Sequence, residues 1–331
     1  LGQLIKLQDY ISRYEQDIYR YPIQFVRLKQ QQWEKVKAAY LAGELEKHYG
    51  GTGYSEEDDE LYISEKTGIL SKMKNMFARN DRKDEQVEEQ AGTAPENVNV
   101  FSLHIPARPE SLDELKQTFL NQLLRFQMKW GSSTLYEKSF IDQGFILDEK
   151  LRFFLQRFPD TCLVLYKPIF LLKNAPVEAE CILITPTEVW CLSFLEGEED
   201  AAFEGSNERF WMKRHHIHPD KKVLNPMLSI KRMEQIVSGI LSLYEVTLPV
   251  KKAILSRNGY IDYPLSPFDV QLLDKRHFPD WFKRMRSSQT PLKHQQLKAA
   301  QALLEYCQTT SSRRQEWNQE TQETRHDEST T

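Results

Sequence analysis

Apolar positions along the chain fall into blocks with two different periods. Leu4, Leu7, Ile11, Tyr14 and Ile18 recur at three- and four-residue spacing, which predicts an amphipathic helix. Pro22 interrupts it, because proline lacks an N–H and disfavours helical geometry at Tyr21. Phe25, Leu28, Val36 and Tyr40, with Trp33 beside them, predict a second helix that ends at Gly50-Gly51. Together they predict an N-terminal helical hairpin over residues 1–48. It either packs on the rest of the chain or offers a surface to a protein partner or a second copy. Further on, Ser111-Leu112-Asp113-Glu114 is a capping box opening a helix with Leu115, Phe119, Leu123 and Phe126 on one face. Residues 147–158 predict another helix, with Leu151, Phe154, Leu155 and Phe158 in line.

Strand signals follow. Residues 161–172 are apolar and rich in β-formers, and Pro168 bends that run or ends its pairing. Residues 179–185 and 188–195 flank Pro186-Thr187 and predict a β-hairpin. Asn225-Pro226 opens a long helix to about residue 245, with Asn as cap and Pro in the first turn. Residues 250–255 read as a final core strand before the Asn258-Gly259 turn. Helix, three strands, helix, strand predicts an α/β domain with a central mixed sheet flanked by helices, over residues 100–307. Between 49 and 99, acidic residues outnumber basic ones two to one, which predicts a largely disordered acidic linker. One amphipathic piece in it, Ile69-Leu70 with Met73, Met76 and Phe77, reads as a docking helix. Residues 308–331, rich in Gln, Glu, Thr and Ser, predict a disordered tail.

Composition narrows the function classes. Among 331 residues, 44 Lys and Arg against 48 Asp and Glu give a net charge of −4, so no bulk positive field draws nucleic acid to the whole surface. No apolar run of about 18 residues exists, which argues against a membrane span. The N-terminal stretch, broken by Asp9, lacks the apolar block of a signal peptide. Cys162, Cys181, Cys191 and Cys307 form no C-x-x-C pair, so a reducing, cytoplasmic setting is expected. Phosphate-cradling glycine loops, H-E-x-x-H and G-x-S-x-G are missing, which disfavours ATPases, dinucleotide enzymes and serine hydrolases.

One ordered run carries chemistry. Leu147-Asp148-Glu149-Lys150-Leu151 opens a helix, and Ala179-Glu180-Cys181-Ile182-Leu183-Ile184 enters an apolar strand. Leu192-Ser193-Phe194-Leu195 lies on its hairpin partner, and Trp211 and Asn225-Pro226 precede the next helix. This run, about residues 140–265, resembles the nuclease-related domain (NERD), a member of the PD-(D/E)xK restriction-endonuclease-like group. The resemblance implies a restriction-endonuclease-like core. In that group two carboxylates on neighbouring strands hold Mg²⁺, and a lysine on the second strand steadies the attacking water or the phosphate charge. Carried over, Glu180 takes the aspartate position and Asp148 or Glu149 that of the helical acid. Ser193 and Leu195 stand where the family has Glu and Lys. A hydroxyl is a poor Mg²⁺ ligand and leucine carries no charge, while Glu196 is one residue out of register.

The expectation is a degenerate site without a cofactor, in a non-catalytic nucleic-acid-binding or protein-interaction module. The alternative is an active Mg²⁺-dependent nuclease acting on DNA or RNA with displaced catalytic residues, Glu180 then holding the metal. Taken singly, Glu180 also reads as a solvent-facing charge at a strand entrance. Asp148 and Glu149 also read as ordinary stabilisation of a helix N-terminus. Two basic, aromatic stretches, 209–218 and 275–284, supply candidate nucleic-acid contacts in Lys213, Arg214, Lys283 and Arg284. Both equally read as exposed charged loops. His215, His216 and His218 are metal-ligand types, but near neighbours in sequence point different ways.

Overall fold

The computed structural model describes residues 1–50, 103–105, 109–134, 136–172, 175–265 and 267–313. The expected linker from residue 51, its docking helix, and the tail from residue 314 lie outside the described residues. The chain divides into two compact units, Leu1–Gln30 with Leu123–Thr331, and Gln31–Gln122.

The strands of the first unit are β1 (Gln3–Leu7), β2 (Glu137–Lys138), β3 (Leu163–Tyr166), β4 (Ile169–Leu172), β5 (Ala175–Glu178), β6 (Cys181–Ile184) and β7 (Val189–Phe194). They continue as β8 (Ala202–Glu204), β9 (Phe210–Arg214), β10 (Lys221–Leu224), β11 (Val250–Leu255), β12 (Tyr260–Asp262), β13 (Val270–Leu273) and β14 (Ser312–Arg313). Described helices of the chain are α1 (Tyr21–Leu41), α2 (Leu45–Tyr49), α3 (Leu112–Trp130), α4 (Gln143–Leu147), α5 (Glu149–Arg157), α6 (Pro226–Leu243), α7 (Phe278–Ser287) and α8 (His294–Glu305).

A six-stranded sheet of order β1-β3-β6-β7-β11-β13 organises this unit. β3, β6 and β7 form an antiparallel meander. β1 joins β3 in parallel, and β11 joins both β7 and β13 in parallel. The mixed α/β class expected from the sequence is the one observed. Both faces of the sheet are covered, so β6 is wholly buried and reads as a continuous apolar run rather than an alternating one. On one face Phe154, Phe158, Trp190, Leu192, Phe278 and Trp281 share a core. On the other, α6 packs on β7 and β11 and α8 on β6. The α6 N-terminus forms as its sequence dictates: Asn225 accepts a hydrogen bond from Met227 N at 2.9 Å, and Ile230, Met233, Val237 and Ile240 face inward.

The first predicted helix does not form. Residues 3–7 are strand β1, and a short 3₁₀ turn occupies Arg13–Glu15. Every position of β1 is buried, including Lys6, so its apolar spacing says nothing about period. The stripe of Leu4, Leu7, Ile11, Tyr14 and Ile18 lies inside the fold, which removes it as a surface for a partner. Two helices do follow within the first fifty residues, α1 and α2. Residues 308–313, expected in the tail, are ordered along the sheet's flank: Gln308 N donates to Ile169 O and Thr310 N to Asp9 O, both at 2.7 Å.

A second sheet, β10-β9-β8-β12, was not foreseen. It holds Trp211, whose Nε1 donates to Ser206 O at 2.8 Å and whose ring lies 5.0 Å from that of Tyr263. The unit 31–122 is built around Val36, Leu45, Leu103, Ile105, Leu115 and Phe119. Trp33 lies 5.3 Å from Phe119, and Ile105 N donates to Tyr49 O at 2.9 Å. One half of the expected capping box of α3 is present, with Glu114 N donating to Ser111 Oγ at 3.2 Å, while the Glu114 carboxylate accepts from Glu110 N at 2.7 Å.

Candidate functional site

Glu180 sits one residue before β6, and the register that pairs Cys181 with Leu192 sets it opposite Ser193. Both oxygens of its carboxylate accept hydrogen bonds. Ser193 Oγ donates to Oε2 at 2.6 Å, and Phe194 N donates to Oε1 at 2.9 Å. Ser193 Oγ also lies 3.4 Å from Ser229 Oγ on α6. Burial pushes the Glu180 carboxyl above its ordinary value, against the opposing pull of Ser193, Phe194 N, Lys150 and Lys167. It is therefore not a solvent-facing charge.

Asp148 is the cap of α5. Its Oδ1 accepts from Lys150 N at 2.9 Å and Leu151 N at 3.1 Å. Its Oδ2 accepts from Tyr166 OH at 2.7 Å, at the end of β3. Burial first, and then the negative charges of Asp148 and Glu180, push the Tyr166 hydroxyl up, so it stays protonated and donates. Tyr166 OH thus ties the α5 cap to the end of β3, and Glu180 lies at the entrance of the next strand of the sheet. Glu149 is exposed. Leu195, one residue past β7, is buried, with its N–H on Leu255 O at 2.8 Å. Glu196 is paired with Arg257 through both carboxylate oxygens.

Sequence reasoning missed the basic partners. Lys150 holds its ammonium 4.9 Å from the centre of the Phe194 ring. Lys167 holds its own 5.5 Å from Phe145 and 5.7 Å from Tyr166, and its N–H donates to Glu180 O at 2.8 Å. The only advance signal was Lys150 beside the helix-opening acids and Lys167 before Pro168.

The basic stretches are largely neutralised. Lys213 pairs with Glu198, and this contact holds that carboxyl down at about 2. Arg214 pairs with Glu204 at 2.8 Å and lies 4.0 Å from Asp220. Lys275 binds Glu199 at 2.6 Å and Asp200 at 2.8 Å. The acidic turn 198–200 thus pairs with Lys213 of the first stretch and Lys275 of the second. The second stretch forms α7, with Phe278, Trp281 and Met285 in the core. Lys283 and Arg284 are exposed and make no ion pair among the described residues. His215 Nδ1 accepts from Ile217 N at 3.1 Å, and its Nε2 lies 3.0 Å from Glu199 O, so both ring nitrogens are spoken for. Among the described residues, no three His, Cys, Asp or Glu side chains converge to hold a metal ion. No helix of the described residues is long and apolar enough to cross a membrane.

Over 127 residues, 38% of this chain, the sequence is 35% identical to an RNA 2′,3′-cyclic phosphodiesterase of Geobacillus stearothermophilus. The match spans 36% of that relative's length. No protein-family model and no solved structure matches the chain.

Proposed function

We propose that the chain carries a non-catalytic nucleic-acid-binding module built on a nuclease-related scaffold. The observation that carries this reading is the closed state of the acid pair: all four oxygens of Glu180 and Asp148 already accept from protein donors. The Mg²⁺ that the family resemblance implies does not fit this donor set. Mg²⁺ takes near-octahedral oxygen ligation from one or two carboxylates and several waters, and a serine stands where the second strand would supply a carboxylate. The order α5–β3–β6–β7–α6–β11, with β11 parallel to β7, supports the restriction-endonuclease-like and NERD reading. The partial similarity to an RNA-acting phosphodiesterase supports nucleic acid as the partner. Four cysteines without a disulfide fit a cytoplasmic setting.

One observation favours the active-nuclease alternative: Lys150 and Lys167 act on Glu180 although Leu195 cannot. A cleavage assay separates the two. With Mg²⁺ or Mn²⁺, the protein is expected to leave single-stranded RNA and duplex DNA intact. It is expected to bind RNA with an affinity that falls steeply as salt rises. Robust cleavage abolished by Glu180→Ala would establish the alternative, and absence of binding at low salt would remove nucleic acid as the partner.

A further inference from the structure

We propose that Lys150 and Lys167 form a two-lysine site for a phosphate oxyanion beside Glu180. The inference rests on the reading above only in taking this cluster as the ligand-facing part of the fold. Three observations carry it.

The first is charge left over after local pairing. Glu196 is neutralised by Arg257. Asp148 is covered by two N–H groups and a tyrosine hydroxyl. Glu180 is held by Ser193 and Phe194 N. Lys150 and Lys167 have no ion pair among the described residues, although both are half-buried. A half-buried ammonium without a carboxylate is the kind of group that gains most from an incoming oxyanion.

The second is orientation. Each ammonium is held over an aromatic face, Lys150 on Phe194 and Lys167 on Phe145 and Tyr166. Ring faces attract the cation without consuming its hydrogen-bond donors, so the three N–H groups of each remain free to bind oxygen.

The third is backbone conformation. Lys167 has φ of +50°, in the left-handed region that glycine enters without penalty and lysine does not. Its N–H is fixed on Glu180 O and Pro168 follows it, so the surrounding structure holds the lysine there. A strained position carrying a charged side chain points to a role for that side chain.

The test uses the full chain and two probes, inorganic phosphate and a single-stranded RNA. Phosphate is expected to raise the melting temperature of the wild type. Lys167→Gly relieves the strained backbone, so its melting temperature without phosphate is expected to match or exceed the wild type's. Its affinity for phosphate should nevertheless fall about tenfold. Lys150→Gln should show a similar loss, Lys150→Arg should keep the effect, and Lys116→Gln, at an exposed position of α3, should change nothing. A wild type that phosphate fails to stabilise, or a Lys150→Gln/Lys167→Gly variant that it stabilises equally, overturns the site. The RNA arm bears on the function reading separately. RNA binding that survives unchanged in the double variant leaves the module standing and removes these lysines from it. Phosphate binding without RNA binding keeps the site and removes nucleic acid.

Discussion

Glu180 shows how one side chain can tie two strands together. Its carboxylate joins the β6 entrance to the β7 exit through Ser193 and Phe194 N. Glu180→Ala would leave a hydroxyl and an amide unsatisfied in a half-buried place, at a cost of about 2 kcal/mol. Glu180→Gln can still accept from Phe194 N and donate to Ser193 Oγ. Because burial raises this carboxyl in the folded state above its ordinary value of 4.5, its contribution to stability is fully present below that value. The contribution is lost as pH rises through the higher folded value. The Gln variant, which does not titrate, should therefore gain on the wild type as pH rises from about 4 to about 8, read as urea midpoints. A difference constant across that range would show that Glu180 carries no such shift. The pairing of Glu180 with Ser193 was legible in the sequence, because strand alternation and a short turn fix which residues face each other. Lys150, Lys167 and Tyr166 were not, since they come from a helix start and a strand end whose approach depends on tertiary packing.

Elements with a local signature were legible, and elements defined by their neighbours were not. Asn225-Pro226, the acids before α5 and the apolar run of β11 each carry their own start signals. β1 carries none: with both faces covered, its five residues have no polar side to reveal a period of two. Lys6 in β1 is fully buried, bonded to Glu15, to Tyr10 O at 2.9 Å and to Thr309 Oγ1 at 2.8 Å. Burial pushes the Glu15 carboxyl up, and Lys6 pulls it back. Lys6→Met would leave that carboxylate buried without its cation, and a loss of about 3 kcal/mol is expected. Adding Glu15→Gln in the same chain should recover a good part of it, because the orphaned charge is gone. Chemical unfolding of the two single variants and the double one measures this coupling. Strict additivity would mean that β1 is held by packing alone.

At the scale of the molecule, Leu1–Gln30 and Leu123–Thr331 belong to one compact unit. The sequence suggested a separable body over 100–307, with the N-terminal segment as an accessory. The structure places β1 beside β3 inside the six-stranded sheet, with Leu4 and Leu7 fully buried. It also ties residues 308–310 to Asp9, Glu15 and Ile169 at the same edge. Removing either segment strips β3 of a neighbour or uncovers the Lys6 pair, so both ends of the described chain close one edge of the sheet. A fragment of residues 100–307 is therefore expected to lack cooperative thermal unfolding, followed by circular dichroism. Truncation after residue 313 should leave the melting temperature within a few degrees of the full chain, since every contact named here is retained. Truncation after residue 307 should lower it clearly, because Thr309 and the Thr310–Asp9 and Gln308–Ile169 hydrogen bonds are lost together. A 100–307 fragment that melts cooperatively near the full chain's temperature would show that β1 is dispensable and that the core begins at β3.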